Sequence, residues 1–169
     1  MTFIPWFRHS TRTVALKGRQ KLLLDVGCGE NKQPGFMGMD KRFLPGVDMV
    51  HDLEVVPWPL LDGCCSIVKM SHVMEHVCPR RSMDVMAEAW RVLKVGGHFI
   101  LSMPYGGSPR YYQDPTHCNP WNEATPTYFD PQFPLYEVYK PLPWRIARLF
   151  WDQRGDIEIE FVKIARKEV

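Results

Sequence analysis

The sequence lacks the features that would place it in a membrane, fibrous or repeat class of protein. No apolar run approaches the roughly 18 residues that a membrane-spanning helix needs. It contains no internal repeat and no low-complexity segment, and its net charge is only +2. So small a charge does not demand a nucleic-acid partner, although it does not exclude one. With 45% hydrophobic residues, we expect one globular domain over residues 1–169 and no membrane association.

Disulfide and zinc signatures are also scarce. The five cysteines are an odd number, no two of them form a Cys-x-x-Cys pair, and no secretory signal precedes them. This pattern indicates free thiols and predicts a reducing, cytoplasmic location. His72, His76 and Cys78 have a metal-like spacing, but Pro79 follows at once and would keep them from converging, so we expect no metal.

Two segments differ in composition from the rest. The chain has no acidic residue before Asp25, whereas arginine, lysine and aromatic residues are frequent there. Because this segment runs directly into the first predicted strand, we expect residues 1–20 to form a surface arm rather than a transit segment. Residues 104–144 carry nine prolines and ten aromatic residues, which is typical of a long structured loop region.

The rest of the chain alternates short apolar strands with one clear helix. Between residues 79 and 94, Met83, Met86 and Trp90 recur at helical spacing, and Pro79 suits the first turn. The pattern predicts strands at residues 21–26, 35–40, 47–52, 65–70, 98–103 and 156–165, and a short helix at 144–151. Strand, crossover helix and strand in succession predict a mostly parallel α/β sheet.

Three of these strands end in an acid. Asp25, Asp40 and Asp52 each follow apolar residues, and Asp25 leads into the glycine pair of "LLLDVGCGEN" (22–31). Ligands of open α/β sheets bind beyond the carboxyl ends of the strands, where these acids would lie. A dinucleotide site needs a third glycine and a helix N-terminus for its pyrophosphate, and an acid at position 25 would repel that group. A cationic nucleoside without phosphate suits the acids better.

At this point the sequence resembles the class I S-adenosylmethionine (SAM)-dependent methyltransferases, in particular the small type 11 group. The matching motifs are "LDVGCG" (24–29), "GMD" (38–40), "HDL" (51–53), "SIVKMSHVMEHV" (66–77) and "EAWRVLKVGGHFILSMP" (88–104). The resemblance implies a Rossmann-like fold, SAM as cofactor and methyl transfer by in-line displacement at sulfur. The acceptor stays open, but we expect an oxygen or nitrogen nucleophile on a small molecule or a macromolecule.

The resemblance also implies roles for individual residues. Asp40 would bind both ribose hydroxyls beside Lys41, and Asp52 would accept a hydrogen bond from the adenine amino group while Leu53 covers the ring. The methionine end would lie near Asp25, Gly27, Cys28 and Gly29, and near Ser71 and His72 beyond the fourth strand. For Cys28 we expect a packing role without reactivity. Glu75 and His76 are expected to make turn or cap hydrogen bonds.

The chain departs from the family pattern at two connections. Few residues separate Gly29 from the second strand, and few separate Asp40 from the third, so the helices that usually follow strands one and two are missing. We therefore predict a sheet of reduced size with one face bare over its first strands. The arm, a second copy of the chain or another partner would have to cover that face.

For the chemical step we consider three side chains. His117 titrates near neutrality and lies in the loop region where the family contacts its substrates, so it is the first candidate for a base, followed by Asp114 and His72. A purely structural His117 is an equal alternative. Two rival functions remain open, namely an inactive SAM-binding subunit or activator of a partner enzyme, and a dinucleotide enzyme that would prefer NAD.

Overall fold

The computed structural model describes residues 22–166, which form one seven-stranded sheet in the order β3-β2-β1-β4-β5-β7-β6. Strands β1 to β5 are parallel, and β7 runs antiparallel between β5 and β6. The strands are β1 Leu22–Val26, β2 Met37–Asp40, β3 Met49–Val50, β4 Cys65–Ser71, β5 Leu93–Pro104, β6 Trp144–Trp151 and β7 Asp156–Lys163. The predicted Rossmann-like fold class is confirmed.

One helix of ordinary length crosses from β4 to β5. This helix, α1, spans Ser82–Val92 after a 3-10 turn at Pro79–Arg81, so the helix predicted from residue 79 is confirmed. Two short helices, α2 (Pro109–Tyr112) and α3 (Tyr136–Tyr139), and 3-10 turns at Met74–His76 and Thr125–Phe129 complete the helical elements. Within residues 22–166, no helix is long and apolar enough to cross a bilayer.

The connections after β1 and β2 contain turns in place of helices, as predicted. Two carboxylates stabilise these connections. Asp25 Oδ2 accepts a 2.8 Å hydrogen bond from the Gln33 N–H, and Asp48 Oδ2 accepts bonds from the Gly38 N–H at 2.8 Å and from Lys32 Nζ at 2.7 Å. Asp25 therefore satisfies a backbone donor of the first connection, and Asp48 joins the second connection to β2 and to Lys32.

The helix predicted at residues 144–151 is wrong, because this segment is strand β6. Its pairing with β7 shifts between Ile146 and Arg148, so Ala147 is an extra residue in the ladder. Such a bulge interrupts the two-residue alternation of a strand and leaves Ile146 and Leu149 three residues apart. That spacing imitates one turn of a helix.

The hydrophobic core lies on one face of the sheet, between the strands and α1. Val85, Met86 and Ala89 of α1 are fully buried in the same cluster as Val68 and Phe99 of the central strands. The loop region contributes as well, since Trp121 and Phe129 stack with ring centroids 5.8 Å apart inside this cluster. The long loop thus completes the core on the α1 side of the sheet.

The opposite side of the sheet, which we call the open face, stays partly exposed. It carries the apolar residues Leu23, Ile67, Ile100 and Phe150 and also charged ones, among them Lys69, Glu158 and the pair formed by His98 and Glu160. Ile100 is 39% exposed and Phe150 54% exposed, although both are strand residues. The arm that the sequence predicts over residues 1–20 lies outside the described residues, and its relation to this face stays a prediction.

Candidate functional site

A cleft of about 490 Å³ opens at the carboxyl ends of β1, β2, β3 and β4. Its volume lies within the range of small-molecule sites. Six of the residues predicted to bind the cofactor or act in catalysis line it, namely Gly27, Asp40, Lys41, Asp52, Leu53 and His72. The fold therefore brings these separate sequence motifs together around one space.

Gly27 forms the floor of the cleft where β1 ends. Its φ of +69° lies in the left-handed region, and a Cβ at this position would stand 2.4 Å from Val73 Cγ2. Its N–H donates a 2.7 Å hydrogen bond to the Met39 carbonyl of β2. Both the backbone conformation and the space beside Val73 therefore require glycine here.

Asp40 holds the glycine loop in place while it faces the cleft. The Gly29 N–H donates to Asp40 Oδ2 at 2.9 Å, and the Arg42 N–H donates to Asp40 Oδ1 at 2.9 Å. Burial alone would raise the pKa of Asp40, but the hydrogen bonds from Arg42 and Gly29 outweigh it and hold that pKa below its ordinary value. The side chain is therefore an ionised acceptor at neutral pH. It also accepts hydrogen bonds from Arg42 Nε at 3.2 Å and Nη2 at 3.5 Å, so a ligand hydroxyl would bind Asp40 in exchange for this exposed guanidinium.

The segment with Asp52 and Leu53 forms the next wall of the cleft. Asp52 Oδ1 accepts a 3.0 Å hydrogen bond from the Glu54 N–H, and Trp58 Nε1 donates to the Leu53 carbonyl at 2.8 Å. Trp58 is almost fully buried, and its backbone N–H donates to Glu88 Oε2 of α1 at 2.6 Å. The core therefore fixes the position of the Asp52–Leu53 turn.

Four other residues predicted at the cofactor do not line the cleft. Asp25 is buried and bonded to Gln33, Gly29 lies behind Asp40, and Ser71 lies at the end of β4 beside Ser102. Cys28 is buried, and burial together with the charges of Asp25 and Asp40 raises the pKa of its thiol, which favours the neutral form. Direct cofactor contacts of these four residues stay predictions.

His72 projects into the cleft just beyond β4. Its φ of 54° is unusual for a residue with a side chain, and its N–H donates to the Ser102 carbonyl at 2.8 Å. The Glu75 carboxylate, 3.5 Å from His72 Nδ1, raises the pKa of the imidazole, and burial opposes that rise only in part. Of the three predicted catalytic residues, His72 is the one that lines the cleft.

His117 lies beside His76 and Asp114 lies nearer the surface, and neither lines the cleft. His117 has a side chain only 7% exposed, and its Nδ1 is 2.7 Å from the Tyr111 carbonyl. Its Nε2 lies 3.8 Å from Asp114 Oδ2, so the fold does bring these two predicted residues close together. Their catalytic roles stay predictions, because neither residue lines the cleft.

Residues that the sequence interpretation assigned to turns or left out also belong to this site. They are His51, Glu54, Val73, His76, Val77 and Thr116, which line the cleft. Glu75 lies beneath them with 1% exposure, 3.5 Å from His72, and its carboxylate lies within 4.8 Å of a ring nitrogen of both His76 and His117. The two histidines and one acid of "SHVMEH" (71–76) were the available signal, but nothing in the sequence indicated a position for Thr116.

Comparisons with known proteins agree with this geometry. Residues 38–101 match the family model described as "Methyltransferase domain", which covers β2 to β5 and begins after the glycine loop. Among curated proteins, none matches this chain. The family match therefore rests on the strands that carry Asp40, Asp52 and His72.

Solved structures with the same fold include several methyltransferases. A SAM-dependent methyltransferase from Archaeoglobus fulgidus superposes with a TM-score of 0.63 at 18% identity, over 85% of this chain and 86% of that one. A chain from the complex of the Haloferax volcanii Trm112 methyltransferase activator with a methyltransferase gives 0.62 at 12% identity, over 88% and 84%.

A third such structure contains its cosubstrate. The 16S rRNA (adenine(1408)-N(1))-methyltransferase from Catenulisporales acidiphilia, solved with SAM, gives a TM-score of 0.57 at 16% identity, over 88% of this chain and 87% of that one. At these identities the likeness concerns the fold. The family match over residues 38–101 and the shared seven-stranded fold together show that this chain is similar to the SAM-dependent methyltransferases.

Proposed function

We propose that this protein binds SAM in the cleft and transfers its methyl group to an oxygen or nitrogen nucleophile. The observation that carries the proposal is the joint placement of Gly27, Asp40, Asp52 and His72 around one cleft. Asp40 offers a buried, ionised acceptor for two ribose hydroxyls, and Asp52 offers an acceptor for an adenine amino group. Neither group would favour a phosphate, which supports SAM over a dinucleotide.

The reaction is a single displacement. The acceptor's lone pair attacks the methyl carbon, the bond from sulfur to that carbon breaks, and S-adenosylhomocysteine leaves with the electron pair. Because the sulfonium is already activated, orientation of the two reactants can supply up to about 7–11 kcal/mol of the barrier reduction. A base adds roughly 10²–10⁴-fold where the acceptor must lose a proton, and His72 has the position for this role.

The direct test uses SAM with a tritiated methyl group and fractionated cell lysate. Transfer of label to one fraction, dependent on the protein and inhibited by S-adenosylhomocysteine, is the expected result. Isothermal titration with S-adenosylhomocysteine and with NAD should give the tighter binding for the former. Tighter binding of NAD would contradict the proposed cofactor and favour the dinucleotide alternative.

An alternative is a SAM-binding subunit that activates a partner enzyme. The short connections after β1 and β2 favour it, because they depart from the pattern of the family that the sequence resembles. A structural neighbour was solved together with a methyltransferase activator, which makes a partner chemically reasonable for this fold. Saturable SAM binding with no labelled product in any lysate fraction would support this alternative over catalysis.

For the open face, we propose that residues 1–20 cover it, while the 104–144 region provides substrate contacts. The arm precedes β1, which contributes Leu23 to this face, and it contains Phe3, Trp6 and Phe7. A chain segment tethered at the edge of a surface binds it at high effective concentration, and the aromatic and cationic residues of the arm suit the apolar and acidic side chains of this face. A second copy of the chain would instead give a dimer, which light scattering during size-exclusion chromatography would detect.

A further inference from the structure

We infer that Glu75, His76 and His117 form a binding site for a divalent transition metal, with Zn²⁺ as the probe. One carboxylate oxygen and one ring nitrogen from each histidine lie within 4.8 Å of one another. Two imidazoles and a carboxylate are a ligand set that proteins use for catalytic zinc and for non-haem iron. The sequence expectation of no metal considered Cys78, whereas the fold places His117 beside His76.

The first reason is the state of the Glu75 carboxylate. Glu75 is 1% exposed, and within residues 22–166 its Oε2 has no hydrogen-bond partner. A buried carboxylate oxygen without a donor costs free energy that is recovered when a cation or donor binds. The other carboxylate oxygen, Oε1, lies 3.5 Å from His72 Nδ1.

The second reason is the orientation of the two imidazoles. His117 Nδ1 lies 2.7 Å from the Tyr111 carbonyl, which can only accept, so Nδ1 carries the proton. His76 Nδ1 lies 3.0 Å from Thr116 Oγ1, whose own proton is donated to Asp114 Oδ1 at 2.7 Å, so this Nδ1 is a donor as well. In both neutral rings the proton is on Nδ1, and Nε2 keeps a free lone pair.

This arrangement is the one found around metal-bound histidines. A ligating imidazole usually donates its other N–H to a carbonyl or a hydrogen-bonded oxygen, which fixes the tautomer and the ring plane. Tyr111 and the pair formed by Thr116 and Asp114 supply such acceptors here. These contacts give Tyr111, Thr116 and Asp114 a common role, which is to orient the two imidazoles.

The backbone holds the ligands in a common frame. The Glu75 carbonyl accepts hydrogen bonds from the Cys118 N–H at 2.8 Å and the Asn119 N–H at 3.1 Å, which ties the loop with His117 to the turn at Met74–His76. The rings of His76 and His117 stand 4.7 Å apart at 67°. Ligand atoms around a tetrahedral Zn²⁺ are about 3.4 Å apart, so a modest rotation of the exposed His76 would close the site.

The site would lie between the cleft and the loop region. His76 and Thr116 line the cleft, whereas Glu75 and His117 lie beneath them. Three protein ligands leave a fourth position for water or another small ligand, as in catalytic rather than structural zinc sites. The inference concerns metal binding itself and does not depend on methyl transfer.

The test is a zinc titration of the full-length chain after removal of metals with a chelating resin, using a chromophoric chelator as competitor. One Zn²⁺ per chain and a higher melting temperature are expected. His76→Asn and His117→Asn should each weaken binding at least about tenfold, and His76, being exposed, can be replaced without threat to folding. With Co²⁺, the visible absorption of a four-coordinate site should appear and be lost in the same variants.

Two controls make the result specific. His98, which pairs with Glu160 at 2.6 Å on another part of the sheet, provides a matched histidine, and His98→Asn should bind zinc like the parent. Cys78→Ser combined with Cys118→Ser removes two exposed thiols and should also leave binding unchanged. No saturable binding by the parent chain, equal loss in His98→Asn, or loss in the serine variant would overturn the assignment.

Discussion

The Gly29 N–H donates a 2.9 Å hydrogen bond to Asp40 Oδ2, so the glycine loop after β1 and the acid that ends β2 are one structural unit. The same carboxylate is proposed to bind the ribose. A change at Asp40 should therefore affect both the cofactor and the loop that would face its methionine end.

For Asp40→Asn we expect S-adenosylhomocysteine binding to weaken by about 1–3 kcal/mol, because charged hydrogen bonds are lost in a buried position. Isothermal titration measures this. Asp84→Asn, on the exposed side of α1 and paired only with Arg81, is the control and should bind like the parent. Equal affinity of the two variants would show that Asp40 does not contact the ligand.

For Gly27→Ala we expect loss of ligand binding together with lower stability. The left-handed conformation costs an alanine about 1–2 kcal/mol of stability, and the alanine Cβ would also overlap Val73. Gly35→Ala is the control, since Gly35 also has a positive φ but no atom lies within 4 Å of its added Cβ. Urea denaturation should show the larger loss for Gly27→Ala, and a second substitution, Val73→Ala, should restore part of it.

For Glu88 we expect a pH-dependent contribution to stability. Burial would raise its pKa, but the hydrogen bonds from Arg91 and from the Trp58 N–H lower it further than burial raises it. Because the folded pKa lies below the ordinary value of 4.5, the stabilisation is present above that value. It is lost as the pH falls through the folded pKa.

Glu88→Gln should therefore cost about 1–3 kcal/mol at neutral pH and have less effect in acid. Urea denaturation at several pH values measures the difference. Glu137→Gln, at an exposed site on α3, serves as the control and should change stability little. A pH-independent difference between the parent and Glu88→Gln would contradict the assigned role.

Ile100→Gln tests whether the open face is covered, because an uncharged side chain avoids repulsion by Glu160 on the neighbouring strand. A covered Ile100 would make this substitution cost about 1–3 kcal/mol, whereas a solvated position changes stability by roughly 0.5 kcal/mol or less. Val95→Gln is the matched control, because Val95 is a β-branched residue of the same strand with 62% exposure. Similar small effects in both variants would show that neither the arm nor a partner covers the face.

Much of this architecture could be predicted from sequence because its signals are local. Apolar runs ending in Asp25, Asp40 and Asp52 predict parallel strands whose carboxyl ends meet, and the helical spacing before Trp90 predicts α1. Strand β6 could not be predicted in this way, because the extra residue at Ala147 exists only in relation to its partner strand.

The site was harder to predict than the fold. Asp40 and His72 follow strands, so topology alone brings them to one edge of the sheet. The approach of His117 to Glu75 depends on where a loop of forty-odd residues folds back, and hydrogen bonds from Cys118 and Asn119 decide that. No periodicity encodes such a contact, so only the three-dimensional structure reveals it.

Arg91 has a wider consequence for how this molecule would behave. From α1 its guanidinium donates to the carbonyls of Trp58 and Leu60 and pairs with Glu88. Trp58 also donates to the Leu53 carbonyl, so these hydrogen bonds connect the Asp52–Leu53 wall of the cleft to α1. A molecule seated against that wall would slow amide hydrogen exchange in α1, on the far side of Trp58.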